Sequence, residues 1–189
     1  GNRARSPRLG GIPGMSVPSI LLQARQIEAR IAQVAKEIDK HYSGEEFVML
    51  VVLKGAMVFA ADLMRQIRTP FQLEFAQSRT YGASTTPETA PAVVGPDLEK
   101  ISDKHVLLVD DILDTGATFL ALKEWLLERE ALSVRGCFLL DKPWRRDAAI
   151  KPDFFGFQVP DVFVVGYGLD HAERFRNLPH IGQLPDPVA

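Results

Sequence analysis

The stretch Val106-Leu-Leu-Val-Asp-Asp-Ile-Leu-Asp-Thr-Gly-Ala-Thr-Phe119 decides how the rest of the chain is read. An apolar run, Val106 to Val109, meets two adjacent aspartates, Asp110 and Asp111, and a third, Asp114, follows three positions later. The residues Asp114 to Thr118 then form a turn into a new apolar stretch, a strand-to-helix junction. Free backbone N–H groups at such a junction, with the Thr115 and Thr118 hydroxyls beside them, bind a phosphate well. The carboxylates cannot sit on that phosphate without repulsion. They are suited instead to accept from sugar hydroxyls or to hold a divalent cation through water. A ligand with both faces, such as a ribose 5-phosphate, answers the pattern. Taken alone, Asp114 is equally a helix cap and Asp110-Asp111 a strand end, since Asp is a favoured N-cap.

Outward from this stretch the chain alternates. The apolar spacing Ile27, Ile31, Val34, Ile38 predicts an amphipathic helix from Ser19 to about Tyr42, stopped by Ser43-Gly44. Phe47 to Leu53 is a short β-branched run expected to be a strand covered on both faces, ended by Lys54-Gly55. A helix follows up to Thr69-Pro70, then an alternating strand from Phe71, a loop from Ser78 to about Pro96 with a short strand at Val93-Val94, and strand Val106 to Val109. The helix from near Thr118, strand Val134 to Leu140 and a last strand, Val162 to Tyr167, complete the pattern. Strands alternating with helices call for an α/β fold, a mostly parallel twisted sheet flanked by helices, with ligands at the carboxyl ends of its strands.

The 189 residues fit one domain, and 46% hydrophobic content suffices for a sizeable core. Basic and acidic residues number 22 and 24, so no global field attracts nucleic acid. No apolar run approaches the roughly 18 residues that span a bilayer. A soluble, cytoplasmic protein with no membrane partner is expected. Residues 1–18, rich in Gly, Arg and Pro, read as a flexible arm, and residues 19–189 as the domain. The single Cys137 reads as a buried strand residue. His41, His105, His171 and His180 have no metal-ligand spacing and read as surface or packing residues. Neither GxxxxGK[ST] nor a GxGxxG after a strand is present, which weighs against a nucleotide-triphosphate site. Phosphoacceptor receiver domains need a further Asp at the next strand end, where this chain has Lys54.

The segment Val106 to Thr118 resembles the signature with which type I phosphoribosyltransferases bind phosphoribosyl pyrophosphate. Five further segments, VVLKGAMVFAADL, SRTYG, LLDKPWRR, KPDFFGFQVPDVFVVGYGLD and ERFRNLPHIG, narrow the likeness to the hypoxanthine-guanine phosphoribosyltransferases. They fall in the family's order across roughly Val48 to Gly182.

The resemblance implies the type I phosphoribosyltransferase fold, with a small hood formed by the N- and C-terminal segments. It implies transfer of the phosphoribosyl group to N9 of hypoxanthine or guanine, giving IMP or GMP and pyrophosphate, with Mg²⁺ as cofactor and a homodimer or homotetramer. By the same resemblance Asp114, Thr115, Gly116, Ala117 and Thr118 hold the 5-phosphate, and Asp114 also serves as the proton relay at purine N7. Asp110 and Asp111 face the ribose and a metal, partly through water; the family carries Glu-Asp here in many members, so Asp110 is one methylene shorter. Lys54, Gly55 and Arg176 take the pyrophosphate, and the peptide before the glycine can adopt a cis form. Lys142 reads the purine 6-oxo group, Phe163 stacks on the ring, Val164 and Asp170 line its edge, and Asp170 adds a metal-side carboxylate. Thr80 and Tyr81 begin a lid. Taken alone, Lys142 is a solvated surface lysine and Phe163 a core aromatic. The rival is a non-catalytic regulator of the same fold that senses phosphoribosyl pyrophosphate or a nucleotide; it calls for a basic face and a dispensable Asp114.

Overall fold

The computed structural model describes residues 17–79, 92–94 and 98–185. Residues 1–16 of the expected arm and the lid pair Thr80 and Tyr81 lie outside the described residues. In chain order the elements are β1 (Ser19–Leu22), α1 (Ala24–Tyr42), β2 (Phe47–Leu53), α2 (Met57–Met64), β3 (Phe71–Arg79) and β4 (Ala92–Val94). β5 (His105–Leu113), α3 (Ala117–Leu127), β6 (Ser133–Asp141), β7 (Phe154–Gln158), β8 (Val164–Val165) and β9 (Ile181–Gln183) follow.

Six strands form the main sheet in the order β4-β3-β2-β5-β6-β7. β3, β2, β5, β6 and β7 run parallel, and β4 adds an antiparallel edge. β2 lies at the centre, and its side chains alternate between two cores. Met49 and Val51 pack with Ile27, Ile31 and Val34 of α1 and Phe59 and Leu63 of α2. Val48, Leu50 and Val52 pack with Phe119, Leu122 and Leu126 of α3. Helices on both faces explain why the run Phe47 to Leu53 is apolar throughout rather than alternating. A second, three-stranded antiparallel sheet, β1-β9-β8, joins the two ends of the described chain as the expected hood.

Several boundaries differ from the sequence reading. Ser19 to Leu22 is a strand rather than the first turn of α1, because it pairs with β9, a partner about 160 residues away that no local pattern reveals. The helix proper opens at Ala24 with reciprocal bonds between Gln23 and Gln26. α2 stops at Met64 instead of reaching Thr69, where Asp39 of α1 accepts from the Arg68 N–H at 3.0 Å and the Thr69 N–H at 2.9 Å and so fixes an extended exit.

β5 runs past Val109 to Leu113. Its pairing with β2 ends at Val51 opposite Val109, but pairing with β6 continues to Leu113 opposite Asp141. Asp110 and Asp111 therefore sit on a half-paired strand end, not beyond it. Of Val162 to Tyr167 only Val164–Val165 is strand, and it belongs to the hood. The edge of the main sheet is instead Phe154–Gln158, whose Gly156 admits the neighbouring strand closely: a Cβ there would lie 2.5 Å from the Leu139 carbonyl oxygen. Cys137 is buried in β6.

Candidate active site

β5 and α3 are joined by a three-residue turn at the carboxyl end of the sheet. Gly116 takes φ +83°, a left-handed conformation that favours glycine, and a Cβ there would meet Ile150 Cγ2 at 2.8 Å. The chain then enters α3 at Ala117, whose N–H reaches the Thr115 hydroxyl at 3.4 Å. The first-turn N–H groups of an α-helix have no carbonyl partners within it. Here they border a cavity of about 200 Å³ lined by Asp110 to Gly116, Thr118, Phe119 and Phe138. Asp114 presents Oδ1, buried and without a hydrogen-bond partner among the described residues.

A second cavity, of about 450 Å³, shares Asp110, Asp111 and Thr118 with the first, so the two are parts of one groove. Its other walls are the end of β2 with Lys54 and Gly55, Gln77 of β3, and Asp170, Glu173 and Arg176 from the loop after β8. The cis peptide lies between Leu53 and Lys54, one bond earlier than the bond to the glycine. Gly55 faces Asp111 so closely that a Cβ would stand 1.7 Å from Asp111 Oδ2. Gly168 in turn faces Gly55: its Cβ would lie 2.5 Å from the Gly55 carbonyl oxygen. The Gly55 backbone is thus packed between the Asp111 side chain and Gly168 under the groove.

The groove is charged on both sides. Burial, then the Asp111 charge beside it, holds Asp110 well above the usual carboxylate range. Asp111 is also raised by burial, with the Ile112 N–H bonded to it at 2.7 Å pulling the other way. Opposite them, Arg176 pairs with Asp170 at 3.0 Å and with Glu173 at 3.4 Å, and donates to the Gly168 carbonyl at 2.8 Å. Lys54 also reaches Glu173, at 3.4 Å. Glu173 is not singled out by the sequence: Arg176 is only three residues away, but the contact with Lys54 exists only through the fold.

Of the expected purine-side residues, Asp170 stands in the groove wall, whereas Lys142, Phe163 and Val164 line neither cavity. Lys142 is buried, and its Nζ donates to the Val162 carbonyl at 2.7 Å, so the solvated reading is excluded. Its backbone N–H donates to the Leu113 carbonyl at 2.9 Å, which ties it to the residue before Asp114. Phe163 is 46% exposed, with its ring edge-to-face on His171 at 5.3 Å, so it is not a core aromatic. Val164 is buried and pairs with Gln183 in the hood.

A divalent cation fits the acidic wall. Asp110 and Asp111 are adjacent carboxylates on the groove wall with raised affinities for a proton, and the Arg176 charge acts on Asp111 only as the weakest of its influences. Among the described residues no three His, Cys, Asp or Glu side chains cluster closely enough to hold a metal by themselves. Water and ligand oxygens would complete the shell, as Mg²⁺ prefers. No helix among the described residues is long and apolar enough to cross a membrane.

The phosphoribosyl transferase domain family matches residues 19–172. The chain is 40% identical over 168 residues to a hypoxanthine phosphoribosyltransferase of Salmonella typhimurium, covering 87% of this chain and 94% of that one. It is 42% identical over 182 residues to a hypoxanthine-guanine phosphoribosyltransferase of Mycobacterium avium, covering 93% and 88%. Among solved structures, a hypoxanthine-guanine phosphoribosyltransferase from Bacillus anthracis superposes with a TM-score of 0.83 at 35% identity, covering 90% of this chain and all of that one. With a half-paired Asp-Asp strand end, a left-handed glycine at the anion turn and relatives of this similarity along nearly its whole length, the chain belongs to the phosphoribosyltransferase family, among its hypoxanthine-guanine members.

Proposed function

We propose that this chain transfers the 5-phosphoribosyl group of phosphoribosyl pyrophosphate to N9 of hypoxanthine or guanine, releasing pyrophosphate and forming IMP or GMP. The observation that carries the reading is the link between the anion turn and Lys142: a helix N-terminus for phosphate and a buried ammonium for an oxo group, joined through the Leu113 carbonyl. Few ligand pairs need both.

Each task of the reaction can be assigned to residues of the groove or its surroundings. Displacing pyrophosphate from C1 builds positive charge on the sugar and negative charge on the leaving group. The turn Asp114 to Thr118 would hold the 5-phosphate through Thr115, Gly116, Ala117 and Thr118, fixing one end of the sugar. Lys54, the Gly55 backbone and Arg176 would take the pyrophosphate. Both cations also contact Glu173, which would compete with the pyrophosphate for them. Asp110 and Asp111 would accept from the ribose hydroxyls and, with Asp170, hold Mg²⁺ through water. Bound there, the ion would neutralise charge on the departing phosphates.

On the purine side, Lys142, whose Nζ donates to the Val162 carbonyl, would donate to the 6-oxo group. A 6-amino group cannot accept that bond, so adenine would leave a buried ammonium poorly paired. Phe163 would stack on the ring, with Val164 and Asp170 at its edge. The unpartnered Oδ1 of Asp114 is free to take and return the N7 proton. The family also leads us to place the enzyme in the cytoplasm as a homodimer or homotetramer. Pyrophosphate release and nucleotide formation with hypoxanthine, guanine and xanthine test the reading. No turnover with any 6-oxopurine would refute it, and tight donor binding without turnover would favour a sensor of phosphoribosyl pyrophosphate instead.

A further inference from the structure

Arg146 lines neither cavity of the groove, yet it binds the turn on one side and the purine-side segment on the other. Its side chain is 4% exposed and that of its partner Asp141 is 9% exposed. All three guanidinium nitrogens are engaged. Nη2 donates to Asp141 Oδ1 at 2.5 Å, Nη1 to the carbonyls of Leu113 at 2.9 Å and Asp114 at 3.4 Å, and Nε to the Ile150 carbonyl at 2.8 Å. Asp141 immediately precedes Lys142 in the chain, and the Leu113 carbonyl that accepts from Arg146 also accepts from the Lys142 N–H. Ile150 in turn closes over Gly116, the pivot of the anion turn.

We propose that Arg146 is the positioning residue that sets Lys142 against the anion turn, so that discrimination between 6-oxo and 6-amino purines depends on its fork of donors. The inference rests on the functional reading above. A planar fork holds three carbonyls and a carboxylate at once, which a flexible ammonium cannot reproduce even though it keeps the charge. The Lys142 Nζ has one narrow position in which it meets a purine oxygen; misplacement by about 1 Å can cost about 100-fold. Arg146 touches neither reacting group itself and would act only through Lys142 and the turn.

Arg146→Ala would leave the Asp141 carboxylate buried without its partner and can fail to fold. Two variants avoid this: Arg146→Lys, which keeps the charge, and the neutral pair Asp141→Asn with Arg146→Gln, which removes both charges together. The readout is the ratio of kcat/KM for hypoxanthine to that for adenine, which a purely structural role would leave unmoved. In both variants the ratio is expected to fall by about tenfold or more. With Lys142→Ala already in place, adding Arg146→Lys is expected to change the ratio no further. An unchanged ratio in a folded variant, with the unaltered chain active, overturns this inference alone, as does an equally large fall in the Lys142→Ala background. Absence of 6-oxopurine turnover by the unaltered chain would overturn the functional reading, and this inference with it.

Discussion

Gly55→Ala offers a test in which the effect can be worked from coordinates alone. The three atoms nearest to the added Cβ all belong to Asp111: Oδ2 at 1.7 Å, Cγ at 2.7 Å and Cβ at 3.4 Å. The first two distances are forbidden and the third is ordinary contact, so the carboxylate must leave its place or the β2 end must shift. If the backbone yields, the overpacking costs about 1–3 kcal/mol. In a domain of this size that lowers Tm by about 2–12 °C. If Asp111 swings away, its charge-assisted contacts to the ribose and cation are lost, about 1.5–3 kcal/mol or about 10- to 150-fold in KM for phosphoribosyl pyrophosphate.

The cycle with Asp111→Ala separates these effects. That change deletes Oδ2 and Cγ and leaves only the tolerated 3.4 Å contact. Gly55→Ala in that background is expected to be neutral, or stabilising by about 0.4–1 kcal/mol through the stiffer unfolded chain. Thermal melting of the four chains, with donor KM for the single variants, reads all of this. Wild-type melting and donor KM in Gly55→Ala, or the same penalty with and without the Asp111 carboxyl, would refute the close approach of Gly55 to Asp111.

Asp114→Asn keeps the shape of a side chain whose backbone is held from Arg146, so substrate affinities are expected to hold while kcat falls by about 10²- to 10⁴-fold; unchanged turnover would remove Asp114 from the proton relay. Lys142→Ala is expected to lower kcat/KM for hypoxanthine by about 10- to 150-fold with little effect on adenine, and retained discrimination would mean that another group reads the 6-position. The free protein, without metal, is expected to lose stability as pH rises from about 4 through the raised values of Asp110 and Asp111. Below the unfolded carboxyl value both states are protonated and the contribution is whole; above it the folded chain holds protons that the unfolded chain has released. Melting temperature against pH for the free chain and for Asp110→Asn with Asp111→Asn checks this, since the slope should flatten in the variant.

What was legible in the sequence was local. The apolar run before Asp110 and the Thr-Gly-Ala-Thr turn specify strand, turn and helix within one stretch, and the structure has them there, with Gly116 as a left-handed pivot. The resemblance supplied Lys142 and Phe163, which composition alone would have read as a surface lysine and a core aromatic; their true environments depend on Val162, Leu113 and His171. Strand assignment failed where the partner was remote. Ser19 to Leu22 is a strand only because Ile181 to Gln183 lies beside it, and Phe154 to Gln158, which the sequence reading did not single out as a strand, is the edge of the main sheet. Arg146 and Glu173 lie in segments that carry the resemblance, but nothing in their local sequence assigns either a role. The burial of the one and the Lys54 contact of the other exist only after folding.

A competition experiment bears on the central claim most directly. The chain is given phosphoribosyl pyrophosphate, Mg²⁺ and equal amounts of hypoxanthine and adenine, and the nucleotides formed are separated and identified. The expected result is IMP in excess over AMP by at least about 100-fold, as a site built to bond an oxo group and left unpaired by an amino group requires. Comparable amounts of the two, or AMP alone, would contradict the assignment of the buried Lys142 ammonium as the reader of the purine.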